Sequence, residues 1–165
     1  MTLNSEELLT RDHAQLDQLL DGLTRSLAQN DGTDIPGRLD WFWARLAMHI
    51  RAEHLHLFPQ ILAATENQPH QTSLRETIAK LRDDHDFFMK SLARAVKLAR
   101  ASGGHETPVE VRDLILTVRQ RLAGHNELEE ADVYGLAKTY LSGEQQQLLL
   151  EAMKRELENT PPRFT

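Results

Sequence analysis

The sequence predicts an all-α fold: an up-down-up-down antiparallel four-helix bundle with a short additional C-terminal helix. Three observations carry that expectation. Four long segments place apolar residues three and four positions apart, the spacing of one helix face. Clusters of Gly, Pro, Asn, Asp and Ser separate those segments at short intervals. No segment alternates apolar and polar residues as a half-buried strand does. Long amphipathic helices joined by short connections are the sequence signature of a bundle. One domain is expected over 1–165, with a bundle core at about 5–138 and the last helix at about 142–158.

The first helix starts at Asn4 or Ser5, either of which can cap it, and Glu6 and Glu7 suit its first turn. Its stripe is Leu9, His13, Leu16, Leu20, Leu23, Leu27, and AQNDGTDIPG ends it near Gln29. The second helix opens around Asp34 to Gly37, with Asp34 as cap and Pro36 in the first turn. Its stripe is Leu39, Phe42, Leu46, His49, Glu53, His56, and Pro59 predicts a kink or break before Ala64. Thr72 or Ser73 caps the third, whose stripe is Leu74, Ile78, Leu81, His85, Phe88, Leu92, and Gly103–Gly104 terminate it. The fourth begins near Thr107–Pro108 and carries Val111, Ile115, Val118, Leu122, His125, Glu129, then Val133 and Leu136. Ser142 caps the last helix, which runs to about Leu157, and the tail NTPPRFT is expected to fray.

Composition excludes several classes. The chain has 165 residues, a net charge of −6 and no cysteine, so disulfide and thiolate–metal chemistry are absent. No segment is persistently basic, which argues against nucleic acid. No apolar run reaches signal-peptide or membrane-span length, which gives a cytoplasmic, membrane-free expectation.

The stripes hold the functional signal. Each contains a histidine where a leucine belongs, and two contain a glutamate one turn further on. The two halves repeat: Asp12-His13 matches Asp84-His85, and HIRAEHLHLF from His49 matches HNELEEADVY from His125. Each half is a hairpin with the formula His, then His-x-x-x-Glu. His13 lies about 15 residues before its connection and His49 about 14 after it, so at 1.5 Å per residue they reach one height; His85 and His125 do the same at about 17. Four imidazoles and two carboxylates, His13, His49, Glu53, His85, His125 and Glu129, therefore converge in one slab. Six N/O donors there suit two iron ions bridged by carboxylates, with positions left for oxygen, peroxide or another small ligand.

A buried histidine is commonly only a hydrogen-bonded core residue, but four at one level with two carboxylates, and no Lys or Arg on the stripes, call for a cation. His56 reads as a partly exposed polar residue at the bundle end. His54 and Glu130 lie off the stripe, at the surface or behind the ligands. Asp12 and Asp84 read as solvated, and Trp41 and Trp43 as interhelical packing or a surface patch. The Glu-x-x-His pairs of ferritin-like bundles occur once, at Glu53–His56, and His-Glu-x-x-His of zinc proteases is absent.

The order His, His-x-x-x-Glu, His, His-x-x-x-Glu over roughly Leu9 to Leu136, with the Leu57-Phe58-Pro59 ending of the second helix, resembles the hemerythrin-like family, the HHE cation-binding domain. The resemblance implies an antiparallel bundle and an oxo- or hydroxo-bridged non-haem di-iron centre. It assigns its ligands to His13, His49, Glu53, His85, His125 and Glu129. The sequence departs from oxygen carriers of this family: Leu81 and Met89 flank His85 where the carriers place a fifth histidine, and the second carboxylate is Glu at a spacing of four rather than Asp at five. The departure counts against reversible oxygen carriage. It leaves O2 or redox sensing, peroxide or nitric oxide chemistry, iron handling, and a metal-dependent interaction module as the functions to separate.

Overall fold

The computed structural model describes residues 3–29, 34–103 and 105–159. Helices α1 (Ser5–Gln29), α2 (Ile35–Ala52), α3 (Phe58–Ala64), α4 (Gln71–Ala101), α5 (Val109–Asp132), α6 (Leu136–Tyr140) and α7 (Gly143–Glu158) follow in order, with a π-helical stretch at Glu53–Leu57 joining α2 to α3. There is no strand among the described residues. The four long helices pack into a bundle, α1 on α2, α2 on α4 and α4 on α5, while α5 meets α1. Helix α7 lies on α1, α2 and the π-helical stretch. No helix among the described residues is long and apolar enough to cross a membrane.

The predicted stripes are the buried faces, and they form two apolar clusters. One holds Leu16, Leu23, Leu39, Phe42, Leu46, Phe88, Leu92, Ile115 and Leu122. The other holds Leu9, Leu57, Phe58, Ile61, Ile78, Leu81, Val133, Tyr134, Leu149 and Met153. On every long helix the histidine falls between residues of the two clusters, so the polar slab is walled by hydrocarbon above and below. Trp43 is half-buried against the first cluster.

Helix ends show where local chemistry departs from expectation. Asn4 caps α1 through its Oδ1, which accepts from Glu7 N (2.8 Å), while Glu7 Oε2 accepts from Asn4 N (3.3 Å). Asp34 occupies the N-cap position of α2 without a side-chain cap bond, because its carboxylate is taken by Arg38 one turn on. Helix α4 starts at Gln71, ahead of the expected caps Thr72 and Ser73, with His70 in the cap position. Gly103 follows α4 with φ +60°, the left-handed turn that lets glycine end a helix. Gly104, the 30–33 segment and the tail from 160 lie outside the described residues. Helix α7 starts as expected, with a Ser142–Gln145 capping box.

Pro59 produces a widened turn rather than a break. Proline has no N–H to donate, and its ring collides with the carbonyl four residues back in a regular helix. The chain responds by one wide turn, in which Phe58 N–H bonds to Glu53 O, five residues back, and the helix resumes through Pro59 to Ala64. The end of α5 repeats the device: Tyr134 N–H bonds to Glu129 O (2.9 Å), again five back. Both halves thus widen at the glutamate and re-aim the aromatic residue five positions later.

Candidate metal centre

All six predicted donors are buried, Glu53 and Glu129 at 0% exposure. They fall into two groups able to hold a metal ion: His13, His49, Glu53 and Glu129, whose donor atoms lie within 4.8 Å of one another, and His85, His125 and Glu129. Glu129 belongs to both. Its Oε2 is 3.2 Å from His13 Nε2, and its Oε1 is 2.9 Å from His125 Nε2 and 3.4 Å from His85 Nε2. Glu53 similarly reaches both ends, with Oε1 3.1 Å from His49 Nε2 and Oε2 3.2 Å from His85 Nε2.

Which face of three of the four imidazoles points inward is set from behind. His49 Nδ1 donates to Asp12 Oδ2 (2.8 Å) and His125 Nδ1 to Asp84 Oδ2 (3.1 Å). A ring that donates from Nδ1 is left with a lone pair on Nε2, directed into the slab. Asp12 and Asp84 are therefore not solvated, as the sequence suggested, but 5% and 2% exposed. Each is held by an arginine one turn before the histidine it orients: Arg45 Nη2 donates to Asp12 (2.6 Å) and Arg121 Nε to Asp84 (2.8 Å). Burial would raise both carboxyls; the histidine and arginine bonds outweigh it and hold Asp12 and Asp84 below the ordinary range. His54 plays the matching part behind His85, with Nε2 2.7 Å from His85 Nδ1. Burial and the neighbouring His85 lower the His54 pKa, which favours the neutral ring, the form with one nitrogen free to accept. Glu130, the counterpart of His54 in the repeat, approaches His13 Nδ1 at 3.9 Å. His56 turns away from the slab and pairs with Glu156 of α7 (3.2 Å).

The sequence did not single out Tyr134. Its Oη is 2.6 Å from Glu53 Oε1, 2.9 Å from Glu129 Oε2, 2.9 Å from His13 Nε2 and 3.2 Å from His49 Nε2. A phenol has one proton and cannot satisfy four acceptors. Its repeat counterpart, Phe58, lies against the other end, stacked 6.3 Å from His85 at 10°. The two ends are thus built alike but finished differently, one with a hydroxyl and one with a hydrocarbon ring.

Buried oxygens show what the slab can hold. Glu53 Oε2 and Glu129 Oε1 have no hydrogen bond, though each faces an Nε2 at ion-pair distance. His85 Nε2 and His125 Nε2 also face each other at 2.9 Å. Converging nitrogen and oxygen donors in a buried layer could hold a cation, and an N/O set of this kind fits iron. Without one, protons must serve. Burial, which alone would lower it, is outweighed by Glu129 and Glu53, and His85 is pushed up to about 9; His49 is raised well above its ordinary value against the same burial penalty. Burial would raise the two glutamates, yet the histidine contacts hold both below the ordinary range.

A pH prediction follows for metal-free protein. A histidine raised in the folded state contributes stability that is fully present below 6.5 and lost as pH rises through about 9. The depressed glutamates contribute stability present above 4.5 and lost as pH falls further. Chelator-treated protein should melt at steadily lower temperature from pH 6.5 to 9. Metal-loaded protein should not, because the cation has replaced those protons; equal slopes in thermal melts of the two forms contradict this.

No curated protein and no solved structure matches the chain. The family described as the hemerythrin HHE cation-binding domain matches residues 4–137, from the cap of α1 to the start of α6, a span that includes all six predicted donors and Tyr134. The chain belongs to the hemerythrin HHE cation-binding family.

Proposed function

We propose that this protein holds two iron ions between His13, His49, Glu53, His85, His125 and Glu129, and that it binds or reacts with O2 or a related small molecule, peroxide or nitric oxide. The observation that carries the reading is the shared Glu129, whose two oxygens face different histidine groups. Bound iron would supply redox chemistry and a place for the small ligand. The chain's own residues do the rest. Asp12, Asp84 and His54 fix the inward face of three imidazoles. The two apolar clusters exclude water, and Glu53 and Glu129 offer oxygens to both ends. The reading also takes up the antiparallel up-down topology, which brings the four histidines to one level, and one domain over the whole chain.

Reaction or sensing is favoured over reversible carriage. Leu81 is buried and Met89 half-buried at the positions of a fifth histidine, so one end keeps fewer nitrogen donors. At the other end an oxidisable phenol, Tyr134, touches the donors directly. Anaerobic iron loading followed by admission of oxygen, watched by absorption spectroscopy, tests this. Irreversible oxidation is expected, and a stable spectrum that reverses on removing oxygen would overturn it.

A further inference from the structure

The six donors are buried, so a metal ion must reach them through the wall of the bundle. We propose that the cleft between α1 and α5 is that route, and that its acidic lining draws a hydrated divalent cation to His13; this rests on the metal reading above. The cleft has a volume of about 490 Å³, and its lining includes His13 itself, with Glu130 beside it. His13 is 4% exposed, and the two sides of its ring differ. Nε2 faces Glu129 in the slab, while Nδ1 has no hydrogen-bond partner and lies on the side of Glu130, whose Oε1 is 3.9 Å away. The other three imidazoles are each held at Nδ1 by Asp12, His54 or Asp84. His13 is thus the donor without such a brace, and it is the one that borders the cleft.

The lining carries Asp17, Asp21, Glu127 and Glu130 against one cation, Arg119. Arg119 is engaged by Asp21 and Thr24 at the far end. Asp17 and Glu127 are exposed and make no ion pair among the described residues. Cleft charges of one sign focus the field and raise the on-rate of an opposite ion by about 10- to 1000-fold, an effect that salt suppresses. Glu130 is the acidic residue of the lining that lies beside His13. Another cleft, beside Trp41, reaches the polar layer only at Asp12 and balances Asp12 and Glu158 against Arg11 and Arg45, so it has no acidic excess to draw a cation.

The test is the rate of Fe(II) uptake by metal-free protein under anaerobic conditions, stopped at set times with a coloured chelator. The charge variant is Asp17→Asn with Glu127→Gln; both side chains are exposed and neither belongs to the donor set. Uptake should slow about tenfold at low ionic strength and lose most of its salt dependence, with the final iron content unchanged. Ala14→Trp, which fills the cleft beside His13, should slow uptake at every salt concentration. A charge variant that loads at the wild-type rate with the wild-type salt dependence overturns the route. So does an Ala14→Trp protein that loads normally. Wild-type protein that takes up no iron overturns the metal reading itself, and the route with it.

Discussion

Replacing Glu129 with alanine is expected to abolish iron binding at both ends, whereas Glu53→Ala should damage the His13/His49 end more than the other. Glu129 alone belongs to both donor groups, and its carboxylate lies within 3.4 Å of His13, His85 and His125. The stability effect should also be large. In metal-free protein the variant takes away a buried carboxylate that faces His13, His85 and His125, and removing one member of a buried ion pair costs about 3–5 kcal/mol. In the presence of iron the loss grows, because a ligand at 1,000 times its Kd contributes about 4 kcal/mol that the variant cannot recover. Elemental analysis and thermal melts with and without Fe(II) measure both effects. An E129A protein that keeps full iron content would contradict the shared-carboxylate arrangement.

Asp84→Ala and Asp12→Ala should each weaken one metal position and spare the other. Neither aspartate is a donor in the slab; each acts through the histidine it orients, His125 or His49. Removing a carboxylate behind a metal-binding histidine typically costs about 10- to 100-fold in affinity, or about 1.4–2.7 kcal/mol. Chelator competition should therefore turn biphasic in D84A, with loss at the His85/His125 end, and the mirror loss should appear in D12A at the His13/His49 end. Uniform weakening of both positions by either variant would point to general unfolding, since Arg121 and Arg45 also lose their ion-pair partner.

The stripes and the histidine levels were legible because burial imposes a helical period on each segment separately, and His13, His49, His85 and His125 interrupt that period once per helix. Asp12 and Asp84 are not legible for the same reason. They sit one residue off their own stripes and reach across to a histidine on another helix, Asp12 to His49 and Asp84 to His125, so a face-by-face reading places them toward solvent. The repeat did carry the signal: an aspartate precedes the first histidine of each half, and an arginine stands four residues before each second histidine, in RLAMH and RLAGH. Tyr134 aligns with Phe58 in the repeat, but only the wide turn after Glu129 brings its hydroxyl into the donor group, and a five-back hydrogen bond leaves no periodic trace. Pro59 announced an irregularity without fixing its kind. At α2 the Asp34 cap was lost to Arg38, a choice between two partners one turn apart that composition does not decide.

Iron content of protein prepared from iron-replete medium tests the central claim most directly. About two irons per chain are expected, falling to almost none in E129A. Protein that carries no iron, and whose melting temperature ignores added Fe(II), would contradict a di-iron centre at His13, His49, Glu53, His85, His125 and Glu129.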